Sequence, residues 1–100
     1  MIRGTTPTNI FNVDVDLTTA TAIYITYNQN GKTVFEKSLA DGEITVAADK
    51  LTVVLTQQET LKLDDRDIAI QIRAKFADDT VIASNIINTT MDEVLKDEVI

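Results

Sequence analysis

Ile68-Ala69-Ile70-Gln71-Ile72-Arg73-Ala74-Lys75-Phe76 is the stretch whose reading decides the fold. Ile68, Ile70, Ile72, Ala74 and Phe76 fall on one side of an extended backbone. Ala69, Gln71, Arg73 and Lys75 fall on the other. A period of two marks a half-buried strand, whereas a helix would scatter the same apolar residues around its surface. Asp78-Asp79 interrupts the pattern, and Val81 to Ile87 resumes it with strong β formers. The pair reads as a β-meander unit with Ile72 facing a core and Arg73 and Lys75 facing solvent.

The same physics recurs upstream. Phe11, Val13, Val15 and Leu17 alternate with Asn12, Asp14 and Asp16, which predicts a first strand over 9–17 with acids on its outer face. Asp14 and Asp16 then lie about 6–7 Å apart on one side. Without further converging ligands that spacing describes a solvated edge face, where acids also discourage edge-to-edge pairing. Ile23, Ile25 and Tyr27 alternate in a second strand. Asn30-Gly31 behind it is the strongest hairpin signal in the chain. The third strand, 32–39, has an ambiguous inner face, because Val34 argues one parity and Phe35 and Leu39 the other. Tyr24, Tyr27 and Phe35 give this hairpin most of the aromatic area, so the three form either a candidate interaction surface or simple core packing.

Asp41-Gly42 and Asp49-Lys50 mark further turns, with short strands over 43–48 and 51–55 between them; Val54 suggests burial on the outer side of the second as well. Thr56 followed by Glu59 is a capping-box pattern and predicts one helical turn with Leu55 and Leu61 as anchors. Asp64-Asp65-Arg66-Asp67 lacks the regular spacing and distal Glu of a calcium loop. Thr90 and Glu93 repeat the capping pattern, yet Met91, Glu93 and Leu95 equally fit a strand, so 91–96 reads as either. Val99 and Ile100 are apolar and join the candidate interaction residues: they dock locally or meet another subunit. Residues 1–8, with Gly4 and Pro7, read as an extended lead-in that is either an ordered or frayed terminus or an arm against a neighbouring subunit.

Composition narrows the chemistry. One hundred residues make one domain with a single core. There is no cysteine, hence no disulfide or thiolate chemistry. There is no histidine, hence no imidazole to shuttle protons or to activate Ser38 or Ser84. Only Gly4, Gly31 and Gly42 are available, so no glycine-rich phosphate loop forms. Sixteen acids against nine bases leave a net charge of −7, which repels phosphate backbones. The N-terminal residues carry no apolar signal segment, and no apolar run is long enough to span a membrane. The expectation is a non-enzymatic domain with no cofactor, no metal, no nucleic-acid partner and no membrane span.

Several stretches carry a resemblance: Met-Ile-Arg-Gly-Thr-Thr-Pro-Thr at 1–8, Ile25-Thr26-Tyr27-x-Gln29-x-Gly31-Lys32, Phe35-Glu36-Lys37 and Leu55-Thr56-Gln57-x-Glu59-Thr60-Leu61. Gln71-Ile72-Arg73, Ala83-Ser84-Asn85-Ile86-Ile87 and Val94-Leu95-Lys96-Asp97-Glu98 extend it. Over nearly its full length the chain resembles small proteins encoded in phages and prophages of Gram-positive gut bacteria. More loosely, the Asn30-Gly31 hairpin and the Leu55 to Leu61 segment are similar to the N-terminal domain of phage baseplate upper proteins. That resemblance implies an immunoglobulin-like β-sandwich, a virion part associated with tail or baseplate, and partners among other virion proteins or further copies of the chain. It implies a place in the virion, or in the host cytoplasm during assembly, and offers no catalytic residues. A carbohydrate-binding module using Tyr24, Tyr27 and Phe35, or a host-directed interaction domain, are the alternatives.

Residues and resemblance together predict an all-β, immunoglobulin-like antiparallel sandwich with strands over 9–17, 21–28, 32–39, 43–48, 51–55, 68–76 and 81–88, and an eighth strand or short helix over 91–96. Phe11, Val13, Ile25, Leu51, Val53, Ile70, Ile72 and Ile86 are expected to face inward.

Overall fold

β6 (Asp67–Phe76) is the strand around which the larger of two antiparallel sheets is built. Its burial alternates as its sequence does: Ile68, Ile70, Ile72 and Ala74 are buried, Arg73 and Lys75 exposed. The computed structural model describes residues 1–93 and Val99. Within them lie β1 (Thr8–Asn12), β2 (Ala20–Gln29), β3 (Lys32–Ser38), β4 (Ile44–Val46), β5 (Lys50–Val54), α1 (Gln57–Leu61), β6, β7 (Val81–Ala83) and β8 (Ile87–Thr90). One sheet has the order β1-β5-β4. In the other β2 lies between β3 and β6, and β7 and β8 share the far side of β6.

Local chemistry explains the elements. Asn30 and Gly31 turn β2 into β3 with φ of 55° and 73°, the left-handed pair that a two-residue hairpin loop requires. Tyr27 pairs with Phe35 but Asn28 pairs with Thr33, so Val34 is an extra residue in β3. That bulge is why Val34 and Phe35 give conflicting parities in the sequence. In α1 the Thr56 hydroxyl accepts from the Glu59 N–H at 3.1 Å, and the Glu59 carboxylate accepts from the Thr56 N–H at 2.8 Å. The far end of α1 is held by Arg3, whose guanidinium donates to Leu61 O at 2.9 Å and Leu63 O at 2.6 Å.

The lead-in therefore packs on its own domain. Ile2 bridges Asp92, Leu55 N–H donates to Pro7 O, and the buried Thr60 hydroxyl donates to Thr5 O. A single core joins both sheets: Phe11, Ile44, Leu51 and Val53 from one, and Ile23, Ile25, Tyr27, Ile68, Ile70 and Ile72 from the other. Each such aliphatic side chain contributes about 1.5–3 kcal/mol by leaving water.

Several expectations need correction. β1 ends at Asn12, not near residue 17: its register with β5 runs out at Lys50, and beyond it one bond remains, from Val13 N–H to Asp49 O at 2.9 Å. Val13 is consequently only half-buried and Val15 is exposed. The strand expected over 81–88 is broken at 84–86, and Ile86 is 60% exposed rather than inward. Val54 is exposed on the outer side of β5. Met91 is buried outside any strand or helix, while 94–96, and with them the rest of the 91–96 expectation, lie outside the described residues.

Candidate interaction surfaces

Tyr24 and Tyr27 are three residues apart on one strand, so they face opposite sides of the sheet. Tyr27 lies in the core, stacked on Phe35 with ring centroids 4.6 Å apart and planes 22° apart. Asn9 on β1 donates to the Tyr27 hydroxyl at 2.8 Å, tying the smaller sheet to the larger. Burial pushes the Tyr27 phenol up to about 12; the Asn9 hydrogen bond opposes the shift and the Glu59 charge adds to it. Tyr24 is 42% exposed on the outer face, in register with Arg73. The three aromatics thus do not assemble into one surface. Val99 is exposed, and Ile100 lies outside the described residues.

A polar centre that the sequence reading missed lies beneath the β3 edge. Lys37 follows Phe35 in parity and points inward beside Ile25, with its side chain only 5% exposed. Its ammonium contacts both oxygens of Glu59, at 2.6 Å and 2.5 Å, and Glu43 at 3.2 Å. Burial pushes the Glu59 carboxyl up, but Lys37 and the Thr56 N–H together outweigh it and hold the group below its ordinary value. Gln29 plays a similar structural part. Its buried amide donates to Asp64 O at 2.9 Å and accepts from Asp64 N–H at 2.8 Å, as a strand partner would. The available signal for Lys37 was its two-residue offset from Phe35. For Gln29 it was its place in the odd-numbered inner set of β2.

Two of the concavities among the described residues stand out by their lining. One lies on the outer face of the larger sheet, where Thr26, Asn28, Gln71, Arg73, Glu36 and Ile86 enclose about 290 Å³. Thr26 donates to Glu36 at 2.9 Å, Gln71 donates to Ser84 O at 3.1 Å, and the buried Asn28 Oδ1 has no hydrogen-bond partner among the described residues.

The other is an apolar cleft of about 260 Å³ where the two sheets part. Val13, Val15 and Leu17 form one wall as the chain leaves β1. Ile72, Ala74 and Ile82 form the other. At its β7 side the ladder ends on a substitution: Ser84 N–H donates to Ile72 O at 2.8 Å, but Ile72 N–H donates to the Ser84 hydroxyl at 3.0 Å. A side chain has taken over the role of a backbone carbonyl, and the chain turns outward. Asp14 lines the cleft and Asp16 lies two residues on, both exposed. The Thr18 hydroxyl and N–H donate to Asp16 and lower its pKa.

Among the described residues no group of three acidic side chains is placed to hold a metal ion, and no helix is long and apolar enough to cross a membrane. No family model matches the chain, and neither a curated protein nor a solved structure matches it.

Proposed function

We propose that this chain is a non-enzymatic assembly domain of a phage or prophage particle, associated with tail or baseplate, and that its two sheets form an immunoglobulin-like sandwich. The observation that supports this reading is where its reactive side chains are spent. Lys37, Glu59, Gln29 and Arg3 are all engaged in holding elements of the domain together. What the surface offers instead are sheet faces, sheet edges and an apolar cleft, the features by which proteins dock on proteins. The resemblance of 1–8, the β2–β3 hairpin and the capped α1 segment to phage proteins supplies the setting. Its partners on this reading are other virion proteins or further copies of itself, met in the host cytoplasm during assembly and retained in the virion.

Mass spectrometry of purified particles from an induced host tests the reading. Copy numbers in multiples of three or six, the symmetries of tails and baseplates, are expected. Good expression in the lysate with complete absence from particles overturns it and favours a host-directed role. A second reading, saccharide binding, draws on Tyr24 beside the polar groove of Asn28, Gln71 and Arg73. Glycan binding lost in Tyr24→Ala would favour it over assembly.

A further inference from the structure

The cleft between the sheets lies at one strand edge. Among the described strands β7 pairs with β6 alone, and its Ile82 and Ala83 line the cleft. The facing wall, Val13, Val15 and Leu17, is chain that has already left β1. An extended segment laid along an edge strand gains main-chain hydrogen bonds. Val13, Val15 and Leu17 on one side and Ile72, Ala74 and Ile82 on the other give apolar walls that accept every second side chain of such a segment.

Charge selects the occupant. Asp14 lines the cleft and Asp16 stands close by, and none of the ion pairs among the described residues includes either. Among the described residues no lysine or arginine lines the cleft. Edge strands are commonly guarded by lysine, but here the guard is acidic, which repels acidic chains and attracts basic ones. The chain itself carries a net charge of −7, so a second copy is disfavoured as the occupant.

We infer that this cleft receives an extended segment of a basic partner protein by strand addition, with alternate apolar side chains against Val13, Val15 and Ile82 and lysine or arginine toward Asp14 and Asp16. The inference deepens the assembly reading and rests on it only for where the partner comes from.

Two capped peptides on the intact, isotope-labelled chain test it: Lys-Val-Lys-Val-Lys-Val and Glu-Val-Glu-Val-Glu-Val. The basic peptide is expected to shift the amides of Val13, Val15, Ala83 and Ser84 saturably, with a dissociation constant on the order of 1 mM that weakens as salt is added. The acidic peptide leaves them unmoved. Asp14→Lys, at an exposed position, weakens the basic peptide on the order of tenfold and admits the acidic one. Binding of neither peptide, equal binding of both, or shifts confined elsewhere overturns the inference. Concentration-dependent self-association that shifts the same amides without peptide also overturns it, by giving the cleft to a second copy. Absence of the protein from particles would sink the assembly reading while leaving peptide binding intact, so the two failures are distinguishable.

Discussion

Replacing Lys37 by methionine removes the positive charge beneath the β3 edge while keeping an unbranched apolar stem. Breaking a fully buried pair costs about 3–5 kcal/mol, because the surviving charge is stranded. Here the survivors are less stranded than that. Glu59 and Glu43 are 17% and 31% exposed, and Glu59 keeps the Thr56 N–H. The expected loss for Lys37→Met is therefore about 2–3 kcal/mol, below the fully buried range. Adding Glu59→Gln removes the stranded charge, and glutamine still serves a capping box. The double variant should recover at least half of the loss, a coupling that independent sites would not show. Urea titrations at constant m-value measure all of these. A Lys37→Met loss within about 0.5 kcal/mol, the range of an ordinary surface change, would refute the reasoning. So would a double variant whose losses simply add.

The pH dependence follows from the same group. The folded Glu59 carboxyl lies below its ordinary value of 4.5, so as pH falls the unfolded chain binds the proton first. Its contribution is full above 4.5 and is lost as pH drops through the folded value; Glu59→Gln should remove that part of the acid slope. Ile72→Ala should cost about 2–5 kcal/mol and Arg73→Ala within about 0.5 kcal/mol, and equal losses would mean that the opposite face of β6 is inside. In an ultraviolet titration one tyrosine should keep its proton to about pH 12, and Tyr27→Phe should delete that late step; a late step that survives the change would place the buried phenol elsewhere. Gly31→Ala meets no neighbouring atom but must hold φ at +73°, so calorimetry should find a loss of about 1 kcal/mol; no loss would mean that the turn relaxes to another form.

Three features of the fold were set by neighbours close in sequence and were legible without coordinates. Ile68 to Phe76 alternate because both faces of one strand meet different media, and no partner is needed to see it. Asn30-Gly31 makes its turn because those residues tolerate left-handed backbone. Thr56 and Glu59 cap α1 from within the helix itself. The rest depended on residues far along the chain. Val13, Val15 and Leu17 alternate as well as any strand, but β5 begins at Lys50, so β1 ends at Asn12 and the cleft opens where pairing stops. Ile86 has the apolarity of a core residue and loses that place in the break at 84–86, where the Ser84 side chain interrupts the ladder before β8 resumes it at Ile87. Lys37 is a surface residue by type, and only the β3 bulge, the register with Ile25 and the arrival of Glu59 on α1 make it a buried one. Period and turn chemistry are local properties, whereas strand length, burial and charge pairing are decided by which segments meet, and only tertiary structure brings them together.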